Sequence, residues 1–426
     1  MKLNERNKIQ SSYSSKIMHN KEYEAQLLST HYPKQDPYGA LSMPVYHALA
    51  YEFETAEEME AAFCGCTDEH TYSRITNPTV QHFEARVKNA TGAYGVTALN
   101  SGMAAISNTL ITLAWSGCNL ITSRHLFGNT YSFFVNTLNA FGMEVRFCDL
   151  TNPKEVAEAI DEQTCGVFLE IITNPQMEVA DLAVLSEITH NRGVPLIADT
   201  TIIPFPIFRA VDFGVDIEVI ASTKYISGGA TTLGGLIIDY GRFNQYRAPL
   251  LQVLEGTTQS PFHTRLRKEI HRNLGAYMTP EVAYQQSLGL ETLQLRFEKQ
   301  SVACKELAGK LQALPEVKAV NYTGLEANPF FEVSKKQFGD YPGAMLTFDL
   351  ESKEVCYRFM NRLKLIRRAT NLFDNRSLMI HPASTIFGSF TAAQREMMHV
   401  KETTIRLSVG LESVDSLFED ICQALQ

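Results

Sequence analysis

Between about residues 90 and 240, seven short β-rich apolar runs alternate with segments of helical period. That alternation builds βαβ units and a mostly parallel sheet, so it predicts an α/β fold. The runs are YGVTAL, NLIT, EVRFC, CGVFLEI, VPLIA, DIEVIA and GLIID. Between them lie amphipathic stretches such as GMAAISNTLITLA, NTYSFFVNTLNAFG and DLAVLSEITHNRG, the last two closed by a Gly where a left-handed C-cap is expected. With 426 residues, 45% of them hydrophobic, the chain can bury a core large enough for two domains. The reading places a large domain over residues 61–270 and a smaller C-terminal α+β domain over 271–426. The latter has the helical run TPEVAYQQSLGLETLQLRFEKQSVACKELAGKLQAL, short strands in VKAVNY and GAMLTFDL, and a closing helix VDSLFEDICQAL. Residues 1–60 are polar and Tyr-rich with turn signals such as QDPYG, which predicts an extended arm seeking a partner surface and hence a homo-oligomer; a dimer of dimers is expected, with dimer against tetramer left open by the sequence.

Charge and composition exclude several classes. Lys plus Arg number 38 against 47 Asp plus Glu, a net charge of −9, without the basic surplus that binding nucleic acid requires. The most apolar stretches, CGVFLEII and VPLIADTTIIPF, stop far short of the roughly twenty residues that span a bilayer. The start is polar with no apolar signal core, and the eight cysteines are scattered, so a cytoplasmic, reduced protein without membrane contact is expected. None of the 11 histidines has metal-ligand spacing, and Cys64 and Cys66 form only a CxC pair, so no metal site is expected.

The chemistry is concentrated in VPLIADTT (194–201) and DIEVIASTKYISGGATTLGG (216–235). Both apolar runs read as buried parallel strands, which brings Asp199 and Lys224 to the carboxyl edge of one sheet, where open α/β folds place their ligands. Burial would lower the Lys224 amine toward neutrality and make it a nucleophile suited to a Schiff base, although a surface lysine after a strand would give the same pattern. In ALNSGMAAISNTL a strand ends at Asn100 and a helix begins near Ser101, so the amides of Gly102 and Met103 would face an anion. An ordinary Ser N-cap before a core helix is the alternative.

Seven motifs stand in order: YSRITNPT (72–79), NSGMAA (100–105), TNPQMEVAD (173–181), ADTT (198–201), STKYISGG (222–229), SLMIHPAST (377–385) and RLSVGLE (406–412). Together they resemble the cysteine/methionine-metabolism family of pyridoxal-5'-phosphate (PLP) enzymes, which have the aspartate-aminotransferase-like fold (fold type I). The resemblance implies that Lys224 holds PLP covalently, Asp199 pairs with the pyridinium nitrogen, and Phe127 stacks on the ring. It likewise implies that Ser101, Gly102, Met103, Thr201, Ser222 and Thr223 contact the cofactor and that Asn174 meets its phenolic oxygen. Tyr72 and Arg74 match a pair that reaches the phosphate of a neighbouring subunit. Arg406 matches the grip on the substrate α-carboxylate, for which a planar guanidinium is suited, and Ser377 a secondary contact.

Departures from that pattern narrow the activity. Phe127 stands where a Tyr is usual and offers no hydroxyl. A thiolate leaving group, of pKa roughly 8.5, needs a proton donor more than a carboxylate near pKa 4 does, so an ester suits this site better. Asn129 in place of Cys argues against methionine γ-lyase, and Arg376 with Thr385 around HPAS resembles O-acetylhomoserine sulfhydrylases. The expected reaction is therefore γ-replacement on O-acetyl-L-homoserine by a sulfide donor, giving homocysteine and acetate. Cystathionine γ-synthase, a γ-lyase, or a PLP-fold protein without turnover are the alternatives. Whether the ester is acetyl or succinyl, and whether sulfur arrives as sulfide, a thiol or a carrier-protein thiocarboxylate, is open at this level. Ala221 replaces the family's phosphate-binding Ser, and Ser222 falls on the opposite strand face, so Thr223 is better placed. Ala230, Ile386 and Phe387 also depart from the pattern, at the expected mouth of the substrate site.

Overall fold

A computed structural model describes residues 23–31, 36 and 38–426. Residues 1–22, 32–35 and 37 of the N-terminal arm lie outside the described residues. Within the arm, Tyr23–Leu28 is a helix docked on its own chain rather than an extended segment. Tyr23 and Leu27 are buried, and the Tyr23 hydroxyl donates to the Leu290 carbonyl at 2.8 Å.

All seven apolar runs form strands: β1 (Gly95–Leu99), β2 (Asn119–Thr122), β3 (Glu144–Phe147), β4 (Thr164–Glu170), β5 (Leu196–Asp199), β6 (Ile217–Ile220) and β7 (Gly235–Asp239). They make one sheet in the order β1-β7-β6-β5-β4-β2-β3, with β7 antiparallel to both neighbours and the other pairs parallel. Both faces are covered. Leu196 and Ala198 of β5 enter one apolar core while Ile197 enters the other, which is why these strands read as continuous rather than alternating apolar runs. A second sheet follows, from β8 (Ala319–Asn321), β9 (Met345–Asp349), β10 (Arg367–Arg368), β11 (Leu378–Ile380) and β12 (Thr404–Ser408), ordered β10-β11-β12-β9-β8. The chain thus has the expected fold-type-I architecture of a large, mostly parallel sheet and a smaller C-terminal sheet.

Two helical expectations differ in detail. The stretch after Phe127 starts as an α-helix (Gly128–Ser132), widens to a π turn (Phe133–Leu138) and tightens to 3₁₀ (Asn139–Phe141) before Gly142 at φ 80°. The long C-terminal run breaks at Thr292 into Pro280–Glu291 and Leu293–Gln312. No helix among the described residues is long and apolar enough to cross a membrane.

The sheet contains a carboxylate in its middle. Glu218 of β6 is fully buried and accepts hydrogen bonds from the Thr200 and Tyr240 hydroxyls, the latter at 2.5 Å. Burial pushes its pKa from an ordinary 4.5 up to about 7, against the pull of those hydroxyls. A carboxyl raised in the folded state stabilises fully below its unfolded pKa, and that stabilisation is lost as pH rises through the folded value. Wild-type stability should therefore fall between pH 5 and pH 8 by on the order of 1–3 kcal/mol more than that of Glu218→Gln. Denaturant midpoints of the two proteins at both pH values measure this, and parallel pH profiles would refute it.

Candidate active site

The carboxyl edge of the large sheet gathers the candidate residues. Asp199 ends β5, Glu170 ends β4 directly opposite it in register, and Lys224 follows four residues beyond β6. The helix Gly102–Leu113 points its N-terminus at the same place. Ser101 Oγ accepts from the Ala104 amide at 3.1 Å, while the Gly102 and Met103 amides belong to the first turn and have no acceptor within the helix. A Cβ on Gly102 would lie 2.6 Å from Ala221 Cβ and 2.9 Å from its Cα. Only glycine lets the helix start this close to the turn after β6.

These elements enclose a cavity of about 280 Å³. Of the residues expected from the sequence, Ser101, Gly102, Met103, Phe127, Asn174, Asp199, Thr201, Thr223, Lys224 and Arg406 line it. A larger surface hollow, about 640 Å³ around Arg247 and Glu255, holds none of them. Asp199 Oδ1 accepts from the Thr201 amide (2.9 Å) and hydroxyl (2.5 Å), and that hydroxyl accepts from the Ala221 amide at 2.9 Å. Burial raises the Asp199 pKa, opposed by the Thr201 bonds and by the charge of Lys224. Burial foremost, then the charge of Arg406, lowers Lys224 to about 8, with Asp199 opposing. Glu170 accepts from the Phe127 amide at 2.7 Å, and burial beside Asp199 pushes it far above the carboxylate range.

Arg406 of β12 is buried and has no carboxylate partner among the described residues. Its Nη1 donates to Asn174 Oδ1 at 3.3 Å, its Nη2 donates to the Asn371 carbonyl at 3.1 Å, and its Nε is buried without an acceptor. Desolvation lowers its pKa to about 9. A guanidinium buried among neutral groups calls for an anionic partner.

Two expectations are corrected. Ser222 is fully buried outside the cavity, packed toward Gly234 and Gln286, because the chain turns one residue later and it is Thr223 that lines the cavity. Ser377 is likewise absent from the lining. Its hydroxyl donates to Glu412 at 2.9 Å and accepts from the Gly410 amide at 2.9 Å, so it is committed to the small domain's own framework. The residue that this part of the chain presents to the site is Asn371, whose Oδ1 accepts from Lys224 Nζ at 2.7 Å. The sequence carried no periodic or motif signal for Asn371, which lies in an irregular loop. Glu170 was legible in principle as the last residue of a buried strand. Tyr72 and Arg74 lie outside this chain's cavity. Arg74 stacks over the Tyr72 ring at 5.5 Å and donates to the Arg272 carbonyl at 2.5 Å.

An amine, a carboxylate and a helix N-terminus converging at the carboxyl edge of such a sheet define a PLP-dependent enzyme of fold type I. The fit is physical: the cavity is backed by a helix start with no room for a side chain, and its buried arginine lacks an anion. Comparison with known proteins agrees. Residues 24–426 match the family described as Cys/Met metabolism PLP-dependent enzyme, and the chain belongs to that family. An O-acetylhomoserine sulfhydrylase structure from Wolinella succinogenes is 46% identical, with TM-score 0.74, covering 83% of this chain and 99% of that one. A Campylobacter jejuni structure described as an O-acetylhomoserine (thiol)-lyase, carrying N'-pyridoxyl-lysine-5'-monophosphate, is 31% identical with TM-score 0.88, covering 95% and 99%. An L-methionine gamma-lyase from Fusobacterium nucleatum is 32% identical over 91% of this chain and 94% of its own length.

The contact at Gly102 yields a test. Gly102→Ala must displace the helix start or the Ala221 turn, a strain of about 1–3 kcal/mol, so cofactor affinity should fall about tenfold or more. Titration of apoprotein with PLP, with circular dichroism to verify folding, measures it. Unchanged affinity would remove these amides from the cofactor site.

Proposed function

We propose that this enzyme catalyses γ-replacement on O-acetyl-L-homoserine, with a sulfide donor, to give L-homocysteine and acetate. One observation carries the choice of substrate. Apart from Lys224 and Arg406, the described lining has no cation, and the rest of it is largely apolar, with Ile106, Ile202, Leu233, Leu372 and Ile386. Once Arg406 holds the α-carboxylate, nothing in this lining pairs with a second one, which disfavours a succinyl ester and also cysteine as co-substrate. The missing hydroxyl at Phe127 supports an acetate leaving group over a thiolate, and the sulfhydrylase from Wolinella succinogenes supports the same reaction.

In this reading Lys224 would hold PLP covalently, Asp199 its ring nitrogen, and the Gly102 and Met103 amides with Thr223 its phosphate. Phe127 would cover the ring and Asn174 would meet its phenolic oxygen. Bound there, PLP supplies an electron-withdrawing ring that lets charge leave the substrate Cα and the γ-substituent depart. The Thr201 hydroxyl orients the Asp199 carboxylate. The Lys224 amine, lowered to about 8, gives up its proton near neutral pH far more readily than an ordinary lysine and can carry protons between Cα and Cβ, with Asn371 steadying it. Tyr72 and Arg74, turned away from their own cavity, would complete that of a neighbouring subunit in a homo-oligomer.

Purified holoenzyme given O-acetyl-L-homoserine and sulfide should release homocysteine and acetate, far faster than with O-succinyl-L-homoserine or with cysteine. Lys224→Ala should lose both turnover and the visible absorbance that borohydride bleaches. Release of 2-oxobutanoate from methionine without an added thiol would instead support the γ-lyase reading that the Fusobacterium relative raises. Replacing free sulfide with a protein thiocarboxylate in the same assay identifies the sulfur source.

Arg406→Ala should raise KM for the ester by about 30–150-fold, as expected for loss of a charge-assisted pair worth roughly 2–3 kcal/mol. Steady-state kinetics on folded variant decide this, and an unchanged KM would remove Arg406 as the carboxylate anchor.

A further inference from the structure

Away from the cavity, three donors from separate segments meet where the small domain touches the large one. His125 lies two residues before Phe127, Glu178 four residues after Asn174, and His399 just before β12. One donor atom from each lies within 4.8 Å of the others. His125 Nδ1 and Glu178 Oε2 are 2.6 Å apart, and the His125 and His399 rings are 4.8 Å apart, centre to centre, at 48°. No spacing along the sequence signals this group, because the fold alone assembles it.

The surroundings hold the donors in place. Gln176 Nε2 donates to the Met398 carbonyl at 2.5 Å, joining the Glu178 segment to the residue before His399. The Glu178 amide donates to Thr173 Oγ1 at 2.9 Å. Glu178 and His399 both border a cleft of about 230 Å³. Its lysine, Lys401, is paired with Asp349 at 2.9 Å and leaves Glu178 uncompensated except by His125.

Two imidazoles and one carboxylate are the donor set that zinc accepts while keeping a position for water, and imidazole nitrogen favours such borderline ions over calcium or magnesium. We propose that His125, Glu178 and His399 bind one divalent transition ion of the zinc type, bridging the two domains beside the loops that carry Phe127 and Asn174. With ligand bonds of about 2.0–2.2 Å, neighbouring donors around a tetrahedral ion stand about 3.4 Å apart. His125 and Glu178 would open by less than an ångström, roughly, and His399 close toward them.

The test uses holoenzyme without sulfide, in a Cys64→Ser, Cys66→Ser background, because both thiols are exposed and could bind zinc. His399 has φ 52°, a conformation glycine adopts freely, so His399→Gly removes the ligand without straining the backbone. Calorimetric titration with Zn²⁺ should give one ion per chain. His399→Gly and His125→Asn should each weaken binding at least about tenfold. Zn²⁺ should raise the melting temperature of the parent protein but not of either variant, and X-ray absorption should report two imidazoles on the bound ion. Equal binding by parent and His399→Gly, or no zinc retained after dialysis, would overturn the proposal and leave His125 and Glu178 as a simple hydrogen-bonded pair.

Discussion

The desolvated amine of Lys224 beside the Asp199 carboxylate is the interaction on which the rest of the structure depends. In water the pair would be two solvated charges of little consequence. At the carboxyl edge of a sheet buried on both faces, desolvation drives the amine down to about 8 and the carboxylate up, while the charge of each opposes the shift of the other. The fold places them there through connection geometry: parallel strands run their carboxyl ends to one edge, and β5 and β6 are neighbours. The helix that starts after β1 reaches the same point because Gly102 has no side chain to hold it off Ala221.

The cavity is completed from the far end of the chain. Arg406 and Asn371 come from the small domain, and their contacts cross to Asn174 and Lys224 of the large one. Neither domain alone brings Lys224 and Arg406 to one cavity. The buried Arg406, surrounded by amide and carbonyl oxygens, is costly without an anion, which links binding of an anion there to the packing of the two domains.

Much of this was legible in the sequence. All seven strands could be read because burial on both faces makes each one a nearly unbroken apolar run, Asp199 because such a run ends at it, and Lys224 because it follows another by four residues. Ser377 was misjudged for a physical reason: its hydroxyl is saturated by Glu412 and Gly410, which no linear pattern reveals. Asn371 was missed because irregular loops carry no period, and its value comes only from the amine it meets in space. The docking of Tyr23–Leu28 on its own chain was hidden for the same reason, since two buried residues in a polar stretch look like noise until Leu290 is seen opposite.

The raised pKa of Glu170 has a consequence for long-range attraction. Burial, with the charge of Asp199 beside it, pushes the Glu170 carboxyl well above its ordinary value and so favours its uncharged form. Lys224 and Arg406, the cations of the described lining, then face less carboxylate charge, a field that favours anions in the chamber although the net charge of the molecule is −9. A second ionised carboxylate there would have cancelled that field. That field favours entry of small anions led by a phosphate or carboxylate group.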